Sequence, residues 1–418
     1  MPTAADSQTL RSRIESELPA LIARRHDLHA HPELSFQERR TSGIVQQELS
    51  SLGIRFKAGY AKGPGVVGYL PATTAQGNRL PAIALRADMD ALPMQESAGR
   101  PYASRHPGVM HACGHDGHTT ILLGAARVLA GTPHRPVPVT FVFQPAEESG
   151  AGGEHMCLEG ALAGETDGGI GNPVGSIFGL HGWPMLQLGQ VATRPGPLMA
   201  SVDDFVIRLE GVGGHAAYPH LSSDPVLAAA HVVTGVQSIV SRNVAPLDAV
   251  VCSVCMVHGG SANNIIPMSV QLEGTIRTLK PALRLLARER FISIVEATAR
   301  AHGCRADITY LETYPVTCND PRATEYFFDI VRAALGPGRV VETDQPTMGG
   351  EDFSYYGNRV RSCFFFLGLR PPGAPADHPS LHQPEFDFDD RALPVGVEVM
   401  VSLALGGASP LVSGGGAD

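Results

Sequence analysis

Val137-Pro-Val-Thr-Phe-Val-Phe143 runs directly into Gln144-Pro-Ala-Glu147-Glu148. A short apolar run of this kind suits a strand buried on both faces, as in a mainly parallel sheet covered by helices. The polar cluster then falls at the strand's carboxyl end. The arrangement recurs along the chain. Residues 81–85 lead to Arg86-Ala-Asp88-Met-Asp90, residues 176–180 lead to His181, and residues 363–369 lead towards His382. Residues 119–130 (TTILLGAARVLA) read as a covering helix, and residues 9–52 as helical with a break at Pro32. Open α/β sheets bind ligands beyond the carboxyl ends of their strands. Every cluster just named lies at such an end.

From residue 190 to 311 the texture changes. Residues 205–209 and 270–276 alternate, residues 250–257 are β-prone, and helical stretches cover 224–241 and 281–302. These pieces imply a small α+β domain with its own sheet. With 418 residues the chain exceeds one compact core, so two domains are expected. The expected fold is α/β: a mainly parallel mixed sheet with helices on both faces, into which a smaller α+β domain is inserted. The boundaries read as 1–190 and 312–405 for the first domain and 191–311 for the insertion. The tail, 406–418, is expected to be disordered.

Composition narrows the function. A net charge of -9 argues against a sequence-independent nucleic-acid binder, which needs a basic face. No apolar run approaches the roughly 18–20 residues needed to span a bilayer. The polar start MPTAADSQTLRSRIES lacks a signal peptide's apolar core. Seven cysteines form an odd set without secreted-type spacing, which favours a reduced, cytoplasmic compartment.

The chemistry concentrates in a few places. His111-Ala-Cys113-Gly-His115-Asp-Gly-His118 packs three imidazoles, a thiol and a carboxylate into eight residues. In an extended segment, Cys113 and His115 point to one side and can share a metal ion. Thiolate with imidazole suits zinc and similar divalent ions. As neighbours in extended backbone, Glu147 and Glu148 point to opposite sides. One could then ligate while the other acts as general base. A capping loop and a surface acidic pair are the plain alternatives. His181 and His382 are weak alone, but with Cys113, His115 and Glu148 they would complete a two-ion shell. Cys252-Ser-Val-Cys255 reads as two packed thiols rather than a redox pair.

Eight motifs, in order, resemble the amidohydrolase branch of the M20 metallopeptidase family. They are Leu28-His-Ala-His-Pro-Glu33-Leu, Arg86-Ala-Asp-Met-Asp-Ala-Leu-Pro93, Met110-His-Ala-Cys-Gly-His-Asp116, Pro145-Ala-Glu-Glu148, Gly214-His-Ala-Ala, Asn264-Ile-Ile-Pro267, Gly274-Thr-Ile-Arg-Thr278 and Gly350-Glu-Asp-Phe353. The branch includes hippurate hydrolases, N-acyl-amino-acid amidohydrolases and plant indole-acetyl-amino-acid hydrolases. The resemblance implies two divalent ions per chain, zinc or manganese with cobalt or nickel also acceptable. It implies Cys113, His115, Glu148, His181 and His382 as their ligands, with Cys113 bridging, and Glu147 as the base. His215, Asn264 and Arg277 would hold the substrate, His215 in its own subunit or across a homodimer joined through the inserted lid. Asp88-Met-Asp90 stands where the wider family has His-x-Asp, so Asp88 and Asp90 read as orienting groups or turn residues. His111 and His118 read as supporting or capping groups. Glu351 and Asp352 are without an assigned step.

The expected activity is hydrolysis of an N-acyl amino acid, hippurate-like, by metal-activated water. A dipeptidase or carboxypeptidase on the same site is the rival enzyme. A catalytically silent metal-binding interaction protein is the rival from another class.

Overall fold

The computed structural model describes residues 4–97 and 99–407, so the tail from 408 onward lies outside the described residues. Contacts divide the chain into two compact units. One comprises Met1–Gly196, Cys318–Gln345 and Asp352–Asp418; the other comprises Pro197–Thr317 and Pro346–Glu351. Both crossings fall six residues later than the texture change. A short strand at Val191–Thr193 still pairs in the first unit's sheet. At the other crossing, Thr313 N–H donates to Val202 O at 3.0 Å, within the second unit.

The first unit opens with helices α1 (Ala4–Ala30) and α2 (Arg39–Ser51), then strands β1 (Arg55–Tyr60), β2 (Gly65–Leu70) and β3 (Ala82–Asp88). Helix α3 (His115–Ala130), β4 (Val139–Gln144), α4 (Gly152–Leu158), β5 (Val174–Gln187) and β6 (Val191–Thr193) follow. The chain crosses at β7 (Gly196–Met199). It builds β8 (Ser201–Glu210), β9 (Gly214–His215), α5 (Pro225–Gly235), β10 (Val250–Gly259), β11 (Ile265–Ile266), β12 (Ser269–Thr278), α6 (Pro281–Ala301) and β13 (Arg305–Glu312). It returns through β14 (Thr317–Asn319) to α7 (Pro321–Leu335), β15 (Val340–Glu342), α8 (Ser354–Gly357), β16 (Arg361–Arg370) and α9 (Leu393–Leu405).

The first unit's sheet has the order β1-β2-β4-β3-β5-β16-β6-β15. Its central strands β4, β3, β5 and β16 run parallel, while β1, β2 and β6 add antiparallel pairings. Every residue of β3 and β4 is buried, as unbroken apolar runs require. Helices cover both faces. Gly179 and Gly182 on β5 are an odd number apart and face opposite ways. A Cβ on Gly179 would meet Phe353, just before α8, and one on Gly182 would approach His118 of α3.

The second unit is a four-stranded antiparallel sheet, β10-β12-β8-β13, with α5 and α6 against it. It has its own core, in which Phe205, Ile207, Leu272, Phe291 and Val295 are buried. Cys252 belongs to that core but Cys255 is exposed, and the strand bulges between Val254 and Met256. The two thiols are therefore not packed together.

Candidate metal centre

All five expected ligands and Glu147 lie in the first unit, and all but His181 lie in segments that follow a parallel strand. The local backbone differs from the sequence reading at two of them. Cys113 and His115 do not share an extended segment. Gly114 between them takes the left-handed conformation (φ 88°), and His115 is already the first residue of α3. Glycine is at home there, having no Cβ to clash. The Glu147–Glu148 pair is not extended either. Ala146 just before it takes φ 57°, the chain bends through Glu147 and Glu148, and the two carboxylates converge rather than point apart. An oxygen from each lies within 4.8 Å of the other and of a ring nitrogen of His115.

His181 lies inside β5 rather than after it. Its Nε2 is 3.2 Å from Cys113 Sγ, and its Nδ1–H donates to Gly182 O at 2.8 Å. His382 sits in a loop with φ 60°, where its N–H donates to Ala112 O at 2.9 Å. That bond brings His382 beside Cys113 and puts its Nε2 3.4 Å from Glu148 Oε1. Donor atoms therefore gather in two sets that share the thiol: Cys113–His115–His181 and Cys113–Glu148–His382.

Asp90 holds this arrangement in place. Its Oδ1 accepts from Glu147 N–H at 3.0 Å and His115 Nδ1–H at 3.2 Å. Its Oδ2 accepts from Glu148 N–H at 3.0 Å and the Ser35 hydroxyl at 2.8 Å. Fixing His115 through Nδ1 aims Nε2 at the centre, which is how a carboxylate orients an imidazole ligand. Asp88 takes His118 Nδ1–H at 2.7 Å, and His118 Nε2 accepts Gly182 N–H at 2.7 Å. His118 thus braces the strand that carries His181. His29 and Arg25 on α1 grip Asp116 at 2.9 and 3.2 Å, anchoring the start of α3. His111 is buried, and neither ring nitrogen has a partner among the described residues.

Three observations test whether this donor set fits a cation. Among the described residues, His115 Nε2 and Glu148 Oε1 are buried without a hydrogen-bond partner, 3.9 Å apart. Unpaired buried polar atoms are costly and call for a partner. Burial, then the charges of Glu148 and Glu147, push the Cys113 thiol well above its ordinary range. A thiolate there needs positive charge beside it. Burial, then His118, press His181 well below the usual imidazole range, leaving it neutral with a lone pair to give. The residues fit divalent metal. His115 shows the competing proton: burial lowers it, but Asp88 and Asp90 prevail and lift it to about 10.

The substrate residues expected from sequence lie in the second unit. His215, on β9, pairs with Ile265 of β11, and Asn264 O accepts Ala216 N–H at 3.0 Å, so these two are neighbours. Both are exposed. His215 Nδ1 accepts Ala217 N–H at 3.0 Å, which leaves Nε2 of this exposed ring as its donor. Arg277 lies half-buried on β12, with Nε donating to Thr275 Oγ1 at 3.1 Å and no carboxylate at ion-pair distance among the described residues. Glu351 closes the second unit, whereas Asp352 opens the last segment of the first.

Sequence reasoning missed Arg86, Gln144, Ser35 and Glu38. Arg86 carried a signal: a charge at the end of a buried apolar run, on the same strand face as Asp88.

The profile of peptidase family M20/M25/M40 matches residues 84–406. The chain belongs to that family. It is therefore a hydrolase, and the silent interaction protein is set aside. An N-acetyl-L-cysteine deacetylase of Bacillus subtilis is 39% identical over 375 residues, 89% of this chain and 84% of its own. An IAA-amino acid hydrolase of Arabidopsis thaliana (ILR1-like 4) is 38% identical over 92% of this chain and 84% of its own. Among solved structures, a dinuclear metal-binding peptidase of the M20 family from Bacillus subtilis is 33% identical. It superposes with a TM-score of 0.77 over 94% of this chain and 98% of its own.

Proposed function

We propose that this M20 hydrolase cleaves the amide bond of N-acyl amino acids, with two divalent ions held by Cys113, His115, Glu148, His181 and His382. The convergence of these five donors around one shared thiol carries the reading. The solved relative described as dinuclear supports the ion count. The ions would supply Lewis acidity and a water of lowered pKa.

Glu147 takes a proton from the attacking water and returns it to the leaving amine. Asp90 fixes its backbone through one oxygen, and Asp352 N–H, 3.4 Å from Glu147 Oε1, helps aim the carboxylate. His215, through its Nε2, supports the developing oxyanion. Arg277 offers a guanidinium fork for the substrate carboxylate, and Asn264, next to His215, helps place it. Zinc or manganese suits the donors, and cobalt or nickel fits them as well. A reduced thiol at Cys113 agrees with a cytoplasmic setting. The lid's exposed Leu221, Ile265 and Met268 suit pairing with a second copy.

The relatives named as deacetylating N-acetylcysteine and hydrolysing IAA–amino acids support an N-acyl amino acid substrate. The test is hippurate hydrolysis by metal-stripped protein reloaded separately with Zn²⁺, Mn²⁺, Co²⁺ and Ni²⁺. Metal-restored release of benzoate and glycine is expected. Silence on hippurate and other acyl amino acids, with cleavage of dipeptides, would hand the site to the peptidase reading.

A further inference from the structure

Arg86 is fully buried, near the end of β3, and its guanidinium reaches several groups at once. Nη1 donates to Asp88 Oδ2 at 2.7 Å, Nη2 to Asp352 Oδ1 at 2.9 Å and Nε to Gln144 Oε1 at 2.9 Å. Gln144 Nε2 returns to both Asp352 oxygens at 2.8 Å, and Gly153 N–H donates to Asp352 Oδ2 at 2.8 Å. The Tyr356 hydroxyl caps Gln144 Oε1 at 3.0 Å. One cation thus ties β3, the strand end that leads into Glu147, and the segment that opens at Asp352.

A buried ion cage of this kind adds little stability over apolar packing of the same volume. What it supplies is geometry. Asp88 shows what the geometry excludes. Asp88, His115 and His118 bring donor atoms within 4.8 Å of one another, as a metal site would. Asp88 Oδ2 lies only 3.8 Å from the unpaired His115 Nε2. That same oxygen is the one Arg86 Nη1 holds, while Asp88 Oδ1 is occupied by His118.

We propose that Arg86 is a positioning residue that keeps the Asp88 carboxylate off the ion on His115, while its other arm sets Asp352 behind Glu147. The inference rests on the metal reading above. A lysine cannot replace it, since one ammonium cannot present the three fixed N–H directions these partners use.

The test loads the full chain with Co²⁺. Visible absorption of Co²⁺ falls as coordination number rises, and a cobalt–thiolate bond gives a near-ultraviolet band. Wild type is expected to show the thiolate band. In Arg86→Lys the band persists, but visible absorption drops as Asp88 joins the ion. Its kcat falls about 10–100-fold, the usual range for groups that orient ligands, with KM changing little. Adding Asp88→Asn to Arg86→Lys restores the wild-type visible spectrum, which a merely structural role for Arg86 would not produce. An Arg86→Lys protein with wild-type spectrum and kcat overturns the proposal.

Should Arg86→Lys fail to fold, Asp88→Asn alone decides. An unchanged cobalt spectrum supports a carboxylate held away from the metal, and a changed one makes Asp88 a ligand and sinks the idea. Wild type without any thiolate band overturns the metal reading itself, and this inference with it.

Discussion

Glu147 and Glu148 are adjacent and converge on one centre, and the proposed reading gives them different work. The backbone N–H groups of both are held by Asp90, so their separation is set before any ion binds. Only Glu148 shares a donor set with Cys113 and His382. Glu147→Gln is therefore expected to lower kcat by about 10²–10⁴-fold, the usual contribution of a general base. Metal content, read by mass spectrometry, should stay at the wild-type value. Loss of an ion would move Glu147 into the ligand set and leave the base unassigned. Behind the pair, Glu38 Oε1 accepts Ala146 N–H at 2.8 Å from a fully buried position. Burial, then the Asp90 charge, raise its carboxyl to about 8. Below about 4.5 the group is protonated in both folded and unfolded chains, so its contribution is fully present. Between that value and 8 the unfolded chain ionises first, and stability is lost at about 1.4 kcal/mol per pH unit at most. Glu38→Gln keeps the acceptor but cannot ionise. Urea midpoints for the variant should gain on wild type as pH rises from 5 to 8, and parallel curves would refute the raised carboxyl.

At the scale of elements, the apolar runs were legible because parallel strands buried on both faces leave an unbroken signature. The start of α3 was not. Its first turn, His115-Asp-Gly-His118, is polar and contains a glycine, so sequence alone places the helix at residue 119. Tertiary ties from His29 and Arg25 to Asp116 hold the turn instead. The proposed ligand positions rest on the resemblance, and the extended-backbone argument for them fails, since Gly114 turns the chain with positive φ and the chain bends at Glu147 and Glu148. The cage around Arg86 was invisible because Asp352 lies 266 residues away. Gly152, at the start of α4, shows how tightly these turns are nested. A Cβ there would sit 1.7 Å from Pro145 O and 2.8 Å from its carbonyl carbon, both backbone atoms. Gly152→Ala must displace the turn that carries the glutamates. It is expected to cost about 1–3 kcal/mol and to weaken metal binding. Gly338→Ala, with nothing within 4 Å of the added carbon, is the matched control. Equal melting temperatures and metal affinities in the two variants would show that the glutamate turn tolerates the shift.

On the scale of the whole molecule, the chain has two separately cored units, and every proposed metal ligand belongs to the first. Cys113, His115, Glu148 and His181 precede the first crossing, and His382 follows the last. The proposed substrate residues His215, Asn264 and Arg277 all belong to the second unit. A ligand that binds only the folded state stabilises it by RT ln(1 + [L]/Kd), which reaches about 4 kcal/mol at a thousandfold excess over Kd. In the two-metal reading, that stabilisation acts on one unit alone. Calorimetry of the full chain, with saturating metal and then with chelator, should resolve this. One transition is expected to fall on chelation while the other, from the sheet built on Phe205, Leu272 and Phe291, stays in place. If the whole chain instead shifts on chelation, either the units unfold as one cooperative body in a single transition or the second unit also holds an ion. Repeating the scan with His382→Ala separates these outcomes. An ion of its own in the second unit leaves that unit's transition untouched by the substitution, whereas a single cooperative body shifts throughout.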